Sequence, residues 1–525
     1  MTGSFLGSVI LLVITLFIFL YRQYRKAREY FDENGIPYPS PTFLVGNIGQ
    51  AFSQKKPLPI IHEEVYRQME PHKYAGYLQF HKPFIMIRDP ELIRDVLVKD
   101  FAYFQDRAIP INPKVDPISN NLLTMKGDEW KNHRIKLTST FTSGKMKIMF
   151  PLVKECGDKC AKLLETMTTE AFNVKELCAR YTCDVIGTCA FGIETHSLED
   201  PNSQFLKMGN RVFEFRYRNL IAGAFPKMPA SIARFFNLRF VDITIQNFFI
   251  SLVDKTVAYR EQHKVTRYDF IDLLLSLKHE TMGKYHDQHE QEDVSRFLSQ
   301  IGDKHSKSKI DMTINTMAAQ CFIFFGAGYE TSSTALGFLM LELALHQDIQ
   351  DKVRNEVNTV IANDPEGLTY ESLREMHYVD MVISELLRKY PPTGFLLREC
   401  NQEYTIANTK TVIPKNTPVT VPVYGIHNDT RYYEKPHEFY PEHFTKEAIA
   451  KRPHYTYLPF GEGPRNCIGE RFAKMQVKIG LISMIRDFKY ELSSKTILPV
   501  EYQQHFIILK AKNPIWLQCK QISRQ

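Results

Sequence analysis

Residues 460–469 read FGEGPRNCIG, and this run carries more information than any other part of the chain. Cys467 follows a turn rich in glycine and proline and precedes residues 470–486, whose apolar spacing predicts a helix. The thiol is therefore expected at a helix N-terminus, where free backbone N–H groups and the helix dipole favour a thiolate. A thiolate in this position is a candidate metal ligand.

The residues around Cys467 fit a flat, acidic ring as the bound group. Gly463 and Gly469 have no Cβ, so a planar macrocycle is expected to approach the backbone closely. Arg465 is placed to meet an acidic substituent of that ring. Together these features predict a haem pocket in which Cys467 is the ligand to the iron. The alternative is a buried, inert cysteine beside a glycine turn.

The same ten residues resemble the haem-binding signature F-x-x-G-x-R-x-C-x-G of the cytochromes P450, with every fixed position filled, including Phe460. The resemblance implies a mainly α-helical domain with a small β region. In that fold a triangular prism of helices holds haem b between a central helix and the helix that follows the cysteine. The axial thiolate would come from Cys467.

Length and composition favour one large domain. The chain has 525 residues without a glycine/serine linker or an internal repeat. The candidate haem residues extend from Arg107 to Cys467 and must meet at one site, so the domain is expected to span residues 43–525. Nine cysteines include no C-x-x-C pair, which fits a reducing compartment. A net charge of +7 without a long basic run argues against a nucleic-acid partner.

Residues 1–21 are the expected transmembrane anchor. Residues 5–21 are almost wholly apolar and would form a helix of roughly 25 Å, close to the hydrocarbon thickness of a bilayer. The flanking segments of a cleaved signal peptide are not seen, so an uncleaved anchor is favoured. Residues 22–42 are interpreted as a basic stop segment and a proline-rich hinge. By the positive-inside rule, the basic residues after the span keep the body of the protein cytosolic; they are Arg22, Arg25, Lys26 and Arg28.

Strand-like runs lie near both ends of the body, with helical periodicity between them. Residues 77–88 predict a β-hairpin, and residues 412–423 predict a second one. Residues 317–346 are strongly apolar but are interrupted by the polar run ETSST at 330–334, so they predict a central core helix and not a second membrane span. The polar residues 278–309 predict a solvated loop and helix face.

A second motif lies on the predicted central helix. Residues 327–332 read AGYETS and resemble the P450 oxygen-activation motif [AG]-G-x-[DE]-T-[TS]. The resemblance implies that Thr331 hydrogen-bonds dioxygen and that Glu330 supports a water chain that relays protons. Gly328 would leave room above the ring and allow a local opening of the helix. The alternative for Thr331 is a hydrogen bond back to the carbonyl of the preceding helical turn.

Glu385 and Arg388 lie one helical turn apart in the order E-x-x-R. Such a pair on a surface is worth only about 0.2–0.5 kcal/mol. In the P450s this pattern is a buried pair that braces the loop before the haem cysteine, and the resemblance implies that structural role here. The family motif P-E-R-F usually completes the brace with an arginine, but residues 441–444 read PEHF. His443 is shorter and its charge depends on pH, so the third member is left open.

Haem propionates require cations, and several positions match the family's propionate contacts. Residues 130–134 fit the pattern W-x-x-x-R, which places Trp130 and Arg134 on one helix face. The further candidates are Arg107, Arg398 and Arg465.

More narrowly, residues 141–146, FTSGKM, resemble the insect microsomal P450s of the family-6 type, which are related to the vertebrate 3A-type drug-metabolising enzymes. This implies a monooxygenase of the endoplasmic reticulum membrane, with its catalytic domain facing the cytosol. NADPH and flavins would act through NADPH–cytochrome P450 reductase and would not bind this chain, and cytochrome b5 is a further candidate electron donor. Two other functions are kept open: a P450-like peroxide isomerase or dehydratase, and a non-catalytic haem-binding membrane protein.

The expected substrate is a lipophilic small molecule, with foreign compounds, plant toxins and insecticides favoured over an endogenous lipid or hormone. Aromatic residues within 211–240 would roof the pocket and dip into the membrane interface, or else pack as an ordinary amphipathic segment. By family analogy, the pocket is lined by residues 106–122, 211–220, 322–331, 391–397 and 503–507, which are largely apolar or aromatic.

Overall fold

A computed structural model describes residues 2–214, 216, 221–222, 228–279, 310–504 and 507–522. Within these residues the α-helices are α1 Thr2–Glu33, α2 Gly49–Phe52, α3 Leu58–Gln68, α4 Pro90–Arg94, α5 Gly127–Thr138, α6 Ser143–Glu165, α7 Val174–Ile186, α8 Gln204–Val212, α9 Ala230–Phe235, α10 Ile243–His263, α11 Phe270–Lys278, α12 Ile314–Leu345, α13 Gln347–Asn363, α14 His377–Lys389, α15 Val423–His427, α16 Lys446–Lys451 and α17 Glu470–Ile485. The strands are β1 Tyr74–Gln79, β2 Lys82–Ile87, β3 Phe172–Asn173, β4 Leu396–Glu399, β5 Tyr404–Thr405, β6 Val412–Ile413, β7 Pro418–Val421, β8 Phe488–Leu492 and β9 Trp516–Gln521.

The central helix is α12, and it is buried along most of its length. The Thr313 hydroxyl caps its N-terminus by accepting a hydrogen bond from the Thr316 N–H. Helices α7, α10 and α17 pack against it and cover its apolar surface. The prediction of a core helix near residues 317–346 is therefore confirmed, and its polar run faces protein.

The β region is small. The four-stranded sheet has the order β1-β2-β7-β4, and Tyr74 of β1 lies opposite Ile87 of β2 in an antiparallel hairpin, as predicted. Strand β7 runs parallel to β2 and antiparallel to β4. Two smaller sheets pair β3-β9-β8 and β5-β6.

The second predicted hairpin is wrong, because β6 and β7 do not pair with each other. Strand β6 pairs with β5, whereas β7 joins the larger sheet. The connection between them instead bonds to an earlier segment, since the Asn416 N–H donates to the Cys400 carbonyl at 2.6 Å. Alternating strand residues showed that strands exist here but could not identify their partners.

Two apolar cores support the domain. The larger joins α5, α6, α7, α12, α14 and α17, and the smaller packs α3 and the end of α1 against the four-stranded sheet. Residues 280–309, which include most of the predicted polar interval, lie outside the described residues.

Helix α1 contains the one candidate membrane span found among the described residues, Leu6–Glu33, with a mean hydropathy of 2.0. The predicted stop segment continues this helix to Glu33, and its last turns reach the domain. Ala27 and Phe31 belong to the smaller core, so the lipid-embedded part ends before Ala27. The proline-rich segment that follows also lies against the sheet, where the Gly76 N–H donates to the Pro37 carbonyl at 2.8 Å.

Candidate active site

A cavity of about 1820 Å³ lies between the two cores. Trp130 from the larger core and Phe84 from the smaller one both line it. Cys467 lines the same cavity, together with Ala327 and Thr331 of α12. The fold therefore brings the cysteine loop and the central helix to the same cavity. A flat ring held between these two elements requires this arrangement.

The cysteine loop is closed by its own backbone. The Cys467 N–H donates to the Phe460 carbonyl at 2.8 Å, and the Asn466 N–H donates to the Gly463 carbonyl at 3.0 Å. Helix α17 begins at Glu470, so Cys467 lies just before a helix N-terminus. Enclosure by protein nevertheless raises the pKa of the Cys467 thiol, with the Gly469 N–H and Arg134 opposing this effect. The helix end alone therefore does not yield a thiolate, and a cation bound to the sulfur would have to supply the rest.

Gly463 has a different role from the one expected. Its φ is +73°, and a Cβ there would lie 1.9 Å from the Leu97 carbonyl oxygen. Glycine is needed because the turn presses against the backbone of residues 95–99, not because a ring approaches. Gly469 does line the cavity, where an added Cβ would meet Phe141 at 3.7 Å.

Of the arginines that line the cavity, four stand at the positions expected to contact propionates, namely 107, 134, 398 and 465. Burial lowers the pKa of Arg398 to about 9, and the charge of Arg107 adds to this effect. Burial also lowers the pKa values of Arg107 and Arg134 to about 10. The pKa of Arg465 is lowered by burial and by its arginine neighbours.

These guanidinium groups fit an anionic ligand. Arg398 is buried, and its Nε and Nη2 have no hydrogen-bond partner among the described residues. A carboxylate placed beside it would satisfy those donors and relieve the repulsion from Arg107. The residues present thus fit a haem, with the sulfur on one wall and cations for two propionates at the edge.

Arg465 is already occupied by backbone contacts. Its Nε donates to the Gln105 carbonyl at 2.8 Å, its Nη2 donates to the Met125 carbonyl at 2.6 Å, and its guanidinium lies 4.2 Å from the Trp130 ring centroid. It therefore connects residues 105–125 to the cysteine loop. Because these donors are used, Arg465 can stabilise an acidic ligand through its positive charge more readily than through hydrogen bonds.

Arg107 and Arg134 also support the cysteine loop. Arg107 Nη2 donates to the Arg465 carbonyl at 2.9 Å. Arg134 donates to the Asn466 carbonyl at 2.9 Å and to its side-chain Oδ1 at 2.7 Å. Of the four arginines, Arg398 is the one with two side-chain nitrogens, Nε and Nη2, that lack a hydrogen-bond partner among the described residues.

On α12, the Thr331 hydroxyl donates back to the Ala327 carbonyl, which is the alternative considered from the sequence. Thr331 lines the cavity, so a change of its χ1 rotamer would release this hydroxyl toward a ligand. Helix α12 continues unbroken past Gly328. A Cβ at Gly328 would lie 2.4 Å from Ile186 Cδ1, so this glycine allows close packing against α7.

Glu330 is buried and is not among the residues that line the cavity. Its Oε1 lies 3.4 Å from Lys175 Nζ and 3.6 Å from Lys510 Nζ. The carboxylate thus connects α12 to α7 and to the C-terminal segment. It lies outside the cavity that Thr331 lines. Sequence reasoning missed both lysines, because more than 150 residues separate each of them from Glu330.

Glu385 and Arg388 form a fully buried bidentate pair, with Nε–Oε2 at 2.8 Å and Nη2–Oε1 at 2.7 Å. Arg388 Nη1 also donates to the carbonyls of His427 at 2.9 Å and Pro436 at 2.7 Å. The Tyr440 N–H donates to Glu385 Oε1 at 2.9 Å. The pair therefore holds residues 427–440 against α14.

Comparison with known proteins identifies this arrangement. The family profile described as cytochrome P450 matches residues 36–518. The chain belongs to the cytochrome P450 family. The P450 family is one of haem-thiolate monooxygenases, so the protein is an oxidoreductase of that family.

Insect P450s are similar over nearly the whole chain. The probable cytochrome P450 6a23 of Drosophila melanogaster is 38% identical over 531 residues, which cover 99% of this chain and 100% of the relative. The cytochrome P450 6k1 of Blattella germanica is 38% identical over 516 residues, covering 98% of this chain and 97% of the relative. These similarities confirm the expected likeness to the insect family-6 type.

This P450 departs from its family pattern at His443, and the structure places that histidine in the brace. Its Nδ1 lies 3.0 Å from Glu385 Oε2, and its Nε2 lies 2.5 Å from the Glu434 carbonyl oxygen. Both partners are hydrogen-bond acceptors, so satisfying both requires a hydrogen on each ring nitrogen. His443 therefore contacts Glu385 from the position where the family motif has an arginine.

The five segments expected to line the P450 pocket all contribute to the cavity, although residues 215, 217–220 and 505–506 of them lie outside the described residues. The contributors include Ile109, Leu122, Phe213, Phe322, Phe395 and Ile507. Most of these side chains are apolar. In the neighbouring roof segment, Phe235 is 83% exposed and Phe236 is 63% exposed.

Proposed function

We propose that this P450 inserts one atom of dioxygen into a lipophilic small molecule, with electrons that originate from NADPH. Haem, when bound, supplies the chemistry that activates dioxygen. The supporting observation is a cavity of about 1820 Å³ that combines a cysteine wall, an arginine edge and a largely apolar lining. The alternative, an enzyme that rearranges a peroxide, does not require a hydroxyl that controls protons, so the position of Thr331 at the cavity favours the monooxygenase.

The chain's own residues have distinct roles in this proposal. Cys467 would hold the haem iron through its sulfur, and Arg398 with its neighbouring arginines would hold the propionates. Thr331 exchanges its bond to the Ala327 carbonyl for one that directs a proton toward dioxygen. Glu330 supports the water chain that relays protons, and its neighbour Lys510 is partly exposed to solvent.

The substrate we propose is a foreign compound such as a plant toxin or an insecticide, with an endogenous lipid or hormone as the alternative. A large cavity lined by aromatic and aliphatic side chains favours bulky apolar molecules over small polar ones. The exposed Phe235 and Phe236, at and just after the end of α9, support a roof that meets the lipid surface from which such molecules partition.

The electron donor in this proposal is NADPH–cytochrome P450 reductase, with cytochrome b5 as a second candidate donor. Arg471 and Lys474 are exposed at the start of α17, close to the cysteine loop. Basic side chains there complement an acidic donor surface. We place the protein in the endoplasmic reticulum membrane through α1, with the domain in the cytosol because the basic residues follow the span.

The test uses the full-length protein in lipid vesicles with the reductase. The reduced protein under carbon monoxide should show the thiolate-type Soret band, and NADPH oxidation should rise with substrate and yield oxygenated product. Cys467→Ala should lose both the band and the product. A mutant that keeps the band would reject Cys467 as ligand, and NADPH-independent turnover of a lipid peroxide would favour the isomerase.

Substrate class is tested separately by difference spectra. Foreign lipophilic compounds, fatty acids and steroids are titrated against the same preparation, and each binder is then assayed for product. Tighter binding and faster turnover of an endogenous steroid or fatty acid than of any foreign compound would overturn the proposed substrate class.

A further inference from the structure

His427 lies at the end of α15, is fully buried and does not line the cavity. Its Nδ1 is 3.2 Å from the Arg388 carbonyl oxygen, and its Nε2 is 2.9 Å from the Leu458 backbone nitrogen. The side chain therefore stands between the buried Glu385–Arg388 pair and the segment that leads into the cysteine loop.

These partners determine the tautomer of His427. The Leu458 N–H can only donate, so Nε2 must accept, and the ring hydrogen lies on Nδ1, which donates to the Arg388 carbonyl. Burial lowers the pKa of His427 to about 3, which keeps the ring neutral. The Tyr457 ring stacks on it at a centroid distance of 5.5 Å and limits its rotation.

The contacts of His427 continue in both directions. Arg388 Nη1 donates to the His427 carbonyl at 2.9 Å, so ring and backbone both bind the same arginine residue. Beyond Leu458, its carbonyl accepts from the Gly461 N–H at 3.1 Å, and the Phe460 carbonyl accepts from the Cys467 N–H at 2.8 Å. Hydrogen bonds, with short stretches of covalent backbone between them, thus connect Arg388 of the buried ion pair to the ligand loop.

We propose that His427 is a positioning residue that fixes the start of the cysteine loop through the Leu458 N–H, and thereby holds the Cys467 sulfur in the place from which it would bind the haem iron. Of its two ring contacts, the one to Leu458 carries this effect. The inference rests on Cys467 as the haem ligand. It extends the brace expected from the sequence by a link that the Glu385–Arg388 motif does not contain.

Two substitutions separate the two ring contacts. The side-chain oxygen of His427→Gln can occupy the place of Nε2 and accept from Leu458, whereas the amide of His427→Asn reaches only the place of Nδ1. With the full-length holoprotein, the measurement is the rate at which the reduced carbon monoxide complex loses its thiolate-type Soret band at a fixed temperature, with the iron reduction potential as a second readout.

The proposal predicts loss of the band about five- to tenfold faster in His427→Asn, the factor expected from one hydrogen bond, and a rate near wild type in His427→Gln. His62→Gln is the matched control, because His62 is equally buried and bonds the Tyr77 hydroxyl at 3.1 Å near the four-stranded sheet. It should lower the unfolding temperature without changing the band.

Equal rates in the two His427 variants would overturn the proposal, as would a loss of the band in His62→Gln at the same relative rate. If His427→Asn does not retain haem, a near-wild-type rate in His427→Gln supports the role and a fast rate rejects it. A wild-type protein without the thiolate-type band would instead reject the ligand assignment on which the inference rests.

Discussion

At the scale of single residues, Thr331 shows how one hydroxyl can serve two hydrogen bonds. It satisfies the Ala327 carbonyl in this structure, and a rotation about χ1 turns it into the cavity that it already lines. The helix loses little when this bond breaks, because the carbonyl keeps its place in the helical hydrogen-bond series. Thr331 therefore combines a structural contact with the proposed control of protons.

Thr331→Ala tests that control. We expect haem content, the carbon monoxide spectrum and substrate binding to change little, while product per NADPH falls several-fold and hydrogen peroxide rises. Thr331→Ser keeps the hydroxyl and should stay near wild type. Unchanged product per NADPH in the alanine variant would refute the role, and loss of haem would show a structural one.

Asp116 gives a pH-dependent prediction. Its Oδ2 accepts from the Val241 N–H at 2.8 Å, and burial raises the pKa of Asp116 to about 6. The folded protein therefore favours the protonated acid, a stabilisation that is complete below the unfolded pKa of 3.8 and is lost as pH rises through 6. At pH 7.5 the ionised carboxylate should destabilise the fold by at most about 3 kcal/mol.

Asp116→Asn keeps an acceptor for Val241 without the charge. Denaturant unfolding should show the variant more stable than wild type at pH 7.5, with the difference shrinking toward pH 4. If the difference in stability does not change with pH, the pKa of Asp116 is the same in the folded and unfolded states, and the prediction is wrong.

At the scale of elements, α14 carries the buried ion pair that holds residues 427–440 beside the cysteine loop. Glu385 accepts hydrogen bonds from Arg388 and the Tyr440 N–H, and its Oε2 lies 3.0 Å from His443 Nδ1, so one carboxylate connects three parts of the brace. Glu385→Gln should cost about 3–5 kcal/mol of unfolding free energy, because a buried guanidinium is left without its partner. The temperature at which haem is released on heating, followed by absorbance, reports this loss of stability.

His443→Arg should be tolerated in the same element, since an arginine can donate to both Glu385 and the Glu434 carbonyl. Haem retention on heating should equal or exceed that of wild type, whereas His443→Leu should lose haem at a lower temperature. Severe loss in the arginine variant would show that the histidine ring is required by its packing between Tyr433 and Tyr440.

Elements with strong local signals were predictable from the sequence. The periodicity of α12, the helix after Cys467 and the hairpin of β1 and β2 each depend on residues close together in the chain. The partners of β6 and β7 and the lysines beside Glu330 depend on distant segments, and His427 stands in a short helix without a motif. Cys467 could be proposed as a haem ligand from the sequence because the motif that suggests it occupies ten consecutive residues.

At the scale of the whole molecule, α1 is both anchor and structural element. Its last turns leave the expected membrane segment and enter the smaller core, where Phe31 is fully buried. A Cβ at Gly76 would lie 2.5 Å from the Phe31 ring, so the glycine in β1 makes room for this side chain. The Tyr30 hydroxyl donates to the Val412 carbonyl at 3.0 Å and fixes the same end of α1 to β6.

Two N-terminal truncations should therefore differ sharply. Removal of residues 2–21 takes away no residue of the smaller core, so the domain should fold with haem, unfold near the wild-type temperature and extract more readily from membranes. Removal of residues 2–36 also deletes Phe31 and Ile36, and burial of two such side chains contributes about 3–6 kcal/mol.

Phe31→Ala in the full-length chain is the matched variant, with an expected loss of about 3–5 kcal/mol and an intact membrane span. Denaturant unfolding and membrane flotation measure stability and anchoring independently. Equal stability of the two truncations would show that the end of α1 serves only as a tether, in which case the membrane segment could extend through Glu33.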